Sequence, residues 1–366
     1  MNTNKILEGN RVQTSVPCRI DLGGTLDIST FYLSMNHLQP SSFNIALDLR
    51  TVVTLSGYKK GYIKVSSKGF DDAVFKNSEV PFNHPMGLMF ACVNYFNEHF
   101  NNQLNPRLNH GVNPGGIHIH IESSSPPRSA LGGSSSAAVA IISAFFKVLD
   151  KSIDPEQIAW LAHYIESSVA GVPCGMQDQL AAAFGGINQW IWKMGRTSPK
   201  FERVPLFVQN DDIKAFNSNI LVAYCGIPHV SKDINSQWVK SFINGDTRVI
   251  FEQIAGLTTL FCKAVKDKNF IRAADFMNQE TKLRLEMTPD VLDNTGQKLF
   301  KKAIDINCGA RFTGAGGGGC IWAIGEKHDI IMLKPLWQQI LEPVKDAKIL
   351  DTGIDNKGIQ VIEMNN

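Results

Sequence analysis

Between residues 126 and 146 the chain reads PPRSALGGSSSAAVAIISAFF, a set of small, hydrogen-bonding residues placed directly against an apolar run. Val139, Ile142, Phe146 and Leu149 recur at helical spacing, which puts a helix start near the serines. An alternating strand precedes it in GGIHIHIESSS, with Ile117, Ile119 and Ile121 on one face and His118, His120 and Glu122 on the other. Strand, Gly/Ser loop and helix N-terminus together can hold phosphate, because the free N–H groups of the first turn and the helix dipole both favour an anion. Gly132 and Gly133 would admit a ligand close to the backbone, and serine hydroxyls add donors or a magnesium ligand. The same residues can also make a serine-capped helix behind a flexible turn. No GxxxxGK[ST] loop occurs, so this is not a Walker motif.

Three further segments carry chemistry. VPCRIDLGGTLDIS sets Arg19, Asp21 and Asp27 around the Gly23-Gly24 turn. ARFTGAGGGGCIWAI places Gly314 and Gly316 to Gly319 between a helix and a strand, and so much glycine implies a close approach to the backbone. In IESSVAGVPCGMQDQLAAAFGG, Asp178 stands at the start of an apolar helix, where a carboxylate is either a candidate acid/base group or a simple N-terminal charge.

The elements that must position these residues alternate between strands and helices. NIALDLRTVVTLSGY and the YIKVSS that follows read as strands, and HPMGLMFACVNYFNEHF reads as a helix. Asp154 and Pro155 mark the cap and first position of the helix in DPEQIAWLAHYIESS. Beyond residue 204 come the strand NILVAYCG, several amphipathic helices between Ser231 and Asn307, and the strands CIWAIG and GIQVIEM. KMGRTSPKFERVP is the least regular stretch, so two domains are expected, 1–203 and 204–366. His118 and His120 are expected to be exposed strand residues, and Trp190 and Trp192 to be core or interdomain packing.

Composition narrows the class. A net charge of +2 over 366 residues, with no block of like charge, gives no reason to expect a nucleic-acid partner or a membrane surface. The seven cysteines show no CxxC pair and no zinc spacing, which fits free thiols. No run approaches the roughly 18 apolar residues that span a bilayer, and the polar MNTNKILEGNRVQTS is unlike a signal peptide, so a cytoplasmic protein is expected.

Taken together, PCRIDLGGTLD, PPRSALGGSSSAA and FTGAGGGGC resemble the three ordered motifs of the GHMP kinase superfamily, spread from residue 17 to residue 320. GVPCGMQDQ is similar to the catalytic-aspartate segment of galactokinases, while PCRIDLGG and QDQLAAAFGGIN look like the bacterial heptose-phosphate kinases and the fucokinase-like branch. The resemblance implies an α+β fold in two domains, the first like ribosomal protein S5 domain 2 and the second ferredoxin-like, with the site between them. It implies ATP and magnesium as cofactors, and phosphoryl transfer to the anomeric hydroxyl of a sugar or sugar phosphate. The nearest type is a D-glycero-D-manno-heptose 7-phosphate 1-kinase; galactokinase, fucokinase and N-acetylhexosamine 1-kinase are alternatives, as are a kinase of an isoprenoid alcohol as in mevalonate kinase, against which GMQDQ argues, and a sensor that binds ATP and sugar without turnover.

Carried over by position, Asp178 matches the aspartate that takes the sugar hydroxyl proton, and Arg19 matches the arginine that supports it. Ser134, with Ser135 next, matches the magnesium-binding serine and Glu166 the magnesium-binding glutamate. Leu131, Gly132, Gly133, Ser134, Ser135, Ser136, Gly316 and Gly317 match nucleotide-binding positions. Gly23, Gly24 and Asp27 match sugar-binding ones. The chain departs from the second motif at Arg128 and Ala130, where the family usually has glycine, and its first motif is one residue short.

Overall fold

The first strand, β1 (Asn10–Leu22), alternates between buried and half-exposed residues as far as Val16 and is buried on both faces beyond it. Such a change means that the far half of the strand is covered by two layers rather than one. A computed structural model, which describes residues 10–365 apart from 78, 104–115, 172, 196–198 and 229–233, shows what covers it. Ser231, at the edge of the expected helical region, and residues 1–9 lie outside the described residues.

β1 pairs antiparallel with β2 (Ser41–Tyr58), the longest strand at 18 residues. β3 (Tyr62–Ser67) and β4 (Ala73–Lys76) form a hairpin, and β5 (Gly116–Ser123) lies parallel to β3 and antiparallel to β2. The parallel β3–β5 pair needs a crossover, and the helix Gly87–Gln103 lies in it. β6 (Ile187–Lys193) pairs with the first residues of β2, and β7 (Lys200–Pro205) with β6, so the long β2 serves two branches of one sheet. The helices Gly87–Gln103, Gly133–Val148, Pro155–Val169 and Gln177–Phe184 share a core with this sheet. Asp154 caps Pro155–Val169 as expected, accepting from the backbone N–H groups of Glu156 and Gln157 at 3.0 and 3.3 Å. Trp190 and Trp192 are fully buried in the same core.

The second sheet takes β8 (Ile220–Tyr224), β9 (Gly309–Phe312), β10 (Cys320–Ile324) and β11 (Lys348–Ile349) in the antiparallel order β11-β8-β10-β9. The helices Arg248–Lys266, Phe270–Met287, Asn294–Asp305 and Lys327–Leu341 accompany it. One hydrophobic cluster joins the two sheets, drawing Ile20, Leu22 and Phe43 from the first and Val222 and Trp322 from the second. The expected division at 203/204 is crossed by the last strand, β12 (Gln360–Asn365), which returns to pair antiparallel with β1. The fold is the α+β, two-domain arrangement the motifs imply. Among the described residues no helix is long and apolar enough to cross a membrane.

Trp322 holds this junction. It is fully buried, lies against Phe43 and Phe261, and donates its indole N–H to the carbonyl of Asp21 at 3.0 Å. Trp322→Ala is expected to lower unfolding free energy by about 3–5 kcal/mol, the range for deleting a large buried aromatic, as measured by urea denaturation.

Candidate active site

The three glycine-bearing motifs, distant in sequence, are tied together by hydrogen bonds to backbone groups. The Arg19 N–H donates to the Leu131 carbonyl at 3.1 Å, the Cys320 N–H to the Ser129 carbonyl at 3.0 Å, and the Gly314 N–H to Asp21 Oδ1 at 2.8 Å. At their junction opens a cleft of about 1350 Å³, with Arg19, Asp27, Ser135, Glu166 and Asp178 in its wall.

Asp178 sits in the first turn of the short helix Gln177–Phe184, whose N-cap, Met176, offers no side-chain cap. Asp27 supplies one from another segment, its Oδ2 accepting the Gln177 N–H at 3.0 Å. The approach is so close that a Cβ at Gly175 would overlap the Asp27 carboxylate. Arg19 then grips Asp178 in a two-pronged fork, Nε to Oδ1 at 2.8 Å and Nη2 to Oδ2 at 2.9 Å, while Nη1 donates to the Ala130 carbonyl at 2.7 Å. Arg19 is almost wholly buried, at 5% side-chain exposure, and Asp178 keeps 23%, so the carboxylate faces the cleft from an enclosed partner. Burial works against the Arg19 charge, but Asp178 and then Asp21 outweigh it and raise its pKa. Gly132 closes over this pair in a left-handed conformation with φ of 76°, where a Cβ would come to 3.2 Å from Asp178 Oδ2.

Gly132 is also the N-cap of the helix Gly133–Val148, and it makes no side-chain cap bond. The serines are therefore not spent on capping, and the first-turn N–H groups stay available. They divide by helical phase. Ser134 is exposed, Ser135 Oγ donates to Glu166 Oε2 at 2.8 Å, and Ser136 Oγ donates to the Pro17 carbonyl at 3.2 Å. Gln179 Nε2 donates to the same Glu166 oxygen at 2.6 Å. Burial, with the Asp178 charge adding to it, pushes the Glu166 carboxyl up to about 7. Asp27 is raised to about 6, chiefly by burial and further by Asp178. Asp27 Oδ1 and Gln179 Oε1 are buried with no hydrogen-bond partner. These orphaned oxygens, beside a Glu166 carboxyl raised by burial and by the Asp178 charge, fit a ligand and a metal at this place. Among the described residues no three His, Cys, Asp or Glu side chains cluster to hold a metal by themselves. Magnesium, which keeps waters and substrate phosphates in its shell, asks only for such a sparse donor set.

Several expected contacts are corrected. Gly316 and Gly317 do not line the cleft; Gly314 and Ala315 do. A Cβ at Gly316 would meet the Val291 carbonyl at 2.5 Å, the Gly317 N–H donates to that carbonyl at 3.0 Å, and a Cβ at Gly319 would meet the Ser129 carbonyl at 2.6 Å. The close approach read from these glycines is to the chain itself. Gly23 packs on Thr258 and Gly24 on Asp21 and Gln177, so they shape the turn before Asp27 without facing the cleft. His118 and His120 lie away from it, both bonded to Ser66 Oγ at 2.8 and 2.9 Å. Arg128 and Ala130 hold φ of 54° and 59°, the left-handed region that glycine would occupy without strain. The seven cysteines are free, and burial pushes the Cys174 thiol beside the cleft up to about 12.

Comparison with known proteins agrees with this arrangement. Residues 88–186 match the model of the GHMP kinases N-terminal domain. A mevalonate kinase of Pyrococcus abyssi is 26% identical over 302 residues, covering 78% of this chain and 83% of that protein. A D-glycero-alpha-D-manno-heptose 7-phosphate kinase of Campylobacter jejuni is 28% identical over 211 residues, 55% of this chain and 59% of that protein. The crystal structure of a D-glycero-D-manno-heptose 1-phosphate kinase from Bacteriodes thetaiotaomicron superposes with a TM-score of 0.71 at 17% identity, over 97% of this chain and all of that one. The chain thus carries a match to the GHMP kinases N-terminal domain over residues 88–186, and its fold is the one those kinase structures share.

Asp27 provides a pH test. Its carboxyl pKa rises from 3.8 to about 6 in the folded protein, so ionisation opposes folding, fully above about pH 6 and not at all below 3.8. Asp27→Asn cannot ionise. Relative to the parent it is expected to gain up to about 3 kcal/mol between about pH 4 and about pH 7.5, read from urea unfolding at each pH.

Proposed function

We propose that this protein is an ATP-dependent sugar kinase that phosphorylates the anomeric hydroxyl of a sugar or sugar phosphate, most like a D-glycero-D-manno-heptose 7-phosphate 1-kinase. The observation that carries the reading is the Arg19 fork on Asp178, which fixes a carboxylate facing the cleft directly below the Gly132 loop. Phosphoryl transfer needs little covalent help from a protein. It needs alignment, stabilised charge and a group to receive the acceptor's proton.

Each need has a candidate. The uncapped N-terminus of the helix Gly133–Val148 and the Leu131-Gly132-Gly133 loop would bind the triphosphate through backbone N–H groups and the helix dipole. Phe70, Phe82 and Met86 line an apolar stretch of the same cleft that suits a nucleotide base. Magnesium, when bound, would neutralise charge on the phosphate oxygens, and Ser135 and Glu166 would hold it; the placing of Ser135 makes it a better ligand than Ser134. Asp178 takes the proton of the attacking hydroxyl as that oxygen bonds to the γ-phosphorus and the bond to the β-phosphate oxygen breaks, releasing ADP. Arg19 fixes the Asp178 carboxylate towards the cleft, and its positive charge would favour the alkoxide character that develops on the attacking oxygen.

The acceptor class rests on Asp27. Its orphaned Oδ1 can accept a hydroxyl proton from a polyol, whereas an acceptor bearing a carboxylate there would meet like charge. A second reading, phosphorylation of an isoprenoid alcohol, has support from the mevalonate kinases, which match more of this chain than the heptose-phosphate kinase does.

ADP release would be followed with MgATP against heptose 7-phosphate, mannose, fucose, galactose, N-acetylgalactosamine and mevalonate. One sugar is expected to turn over, with kcat reduced about 10²- to 10⁴-fold in Asp178→Asn, the usual loss on removing a general base. Turnover of mevalonate alone would favour the second reading. Nucleotide binding with no turnover on any acceptor would favour a non-catalytic sensor.

A further inference from the structure

Behind the cleft lies a set of fully buried charges that none of the steps above uses. Glu280 and Arg284 stand one turn apart on the helix Phe270–Met287, and Arg311 lies on β9; the side chains of all three, and of Asp21, are at 0% exposure. Arg284 Nε donates to Glu280 Oε1 at 3.0 Å, and Arg311 Nε to Glu280 Oε2 at 2.9 Å. Burial alone would push the Glu280 carboxyl up, but Arg311 and Arg284 together outweigh it and hold the group below its ordinary value.

Two arms leave this carboxylate. Along the first, Arg311 Nη1 donates to Asp21 Oδ2 at 3.2 Å and to the Asp21 carbonyl at 3.3 Å. Asp21 Oδ1 in turn lies 3.4 Å from Arg19 Nη1, and Arg19 grips Asp178. Along the second, Arg284 Nη2 donates to the Gly24 carbonyl at 2.7 Å and Nη1 to Thr25 Oγ1 at 3.1 Å, two residues before Asp27. Asp27 and Asp178 meet again at the first turn of the helix Gln177–Phe184. Both arms therefore end on the acceptor side, and neither touches Ser135, Glu166 or Gln179.

Buried ion chains are poor sources of stability, since desolvation consumes much of the attraction, and apolar residues of similar volume often serve as well. Their strength is directional, because each fork admits one geometry. We propose that Glu280 is a positioning residue for phosphoryl transfer, setting Asp178 through Arg311, Asp21 and Arg19, and Asp27 through Arg284 and the Gly24-Thr25 turn. The second domain thereby holds the acceptor site in the first. This assignment rests on the kinase reading.

The test compares Glu280→Gln, which keeps the shape and removes the charge, with Arg284→Lys, which keeps a cation beside Glu280 and loses the fork to the turn. With the acceptor found in the panel, Glu280→Gln is expected to lower kcat by about tenfold or more and to raise acceptor KM, as misplacing a reacting group does. Arg284→Lys is expected to raise acceptor KM about threefold or more with a smaller effect on kcat, because the Arg311 arm is intact. Calorimetric affinity for a non-hydrolysable ATP analogue should stay within about twofold of the parent in both, a split that general loosening of the fold would not produce. Folded variants with parental kcat and acceptor KM, or with nucleotide affinity lost in step, would overturn the proposal. If Glu280→Gln does not fold, Arg284→Lys decides by the same criteria. Failure of both to fold would assign the chain to stability and overturn it as well. A parent inactive on every acceptor would remove the kinase reading, and the positioning role with it.

Discussion

A two-pronged ion pair between Arg19 and Asp178 is made where three carboxylates, Asp27, Glu166 and Asp178, line one cleft. Asp178 stands close to Asp27 and Glu166, both pushed towards neutrality by burial and by the Asp178 charge itself. Arg19, forked onto Asp178 from beneath, sets a positive charge against that crowding. The fork needs an arginine with no freedom to turn away, which explains the rest of its shell. The Ala130 carbonyl accepts from its third nitrogen, Asp21 lies beside it, and Gly132 closes over the pair at a left-handed φ, where a Cβ would come to 3.2 Å from Asp178 Oδ2.

The glycines follow from that enclosure. Segments far apart in the chain come within backbone contact in and around this site, and at several crossings a Cβ would collide with a carbonyl or carboxylate. Gly319 against Ser129, Gly316 against Val291 and Gly175 against Asp27 are such crossings. The unfavourable left-handed conformations at Arg128 and Ala130 belong to the same constraint, on the one loop that must pass between the first and third motifs. Burial of Asp27 without a partner for Oδ1 is the complementary feature, a cost carried by the folded state that a hydroxyl-bearing ligand could relieve.

Much of this was legible in the residues, and the failures share a cause. Arg19 and Asp178 stand out in the sequence as ionisable side chains beside glycine turns, Glu166 only through the family resemblance, and the structure puts all three in the wall of one cleft. Gly23, Gly24, Gly316 and Gly317 were misplaced because glycine reports that something comes close without saying what. Ser134 and Ser135 differ by about 100° of helical phase, and which one meets Glu166 depends on where the helix begins. Glu280 and Arg284 lie in the stretch expected only to form amphipathic helices, and nothing local marks them; the packing of their helix beneath Gly24 encloses them. The return of β12 to the first sheet is a long-range pairing with no local signal.

The atom that receives the phosphate is the most direct test of the proposed chemistry, and phosphorus NMR of the product formed with MgATP identifies it. Transfer to the anomeric oxygen, opposite Asp178, predicts a phosphomonoester resonance coupled to the anomeric proton of the sugar and absent with Asp178→Asn. A product coupled instead to the protons of a primary carbon, or one formed equally well by the variant, would contradict it.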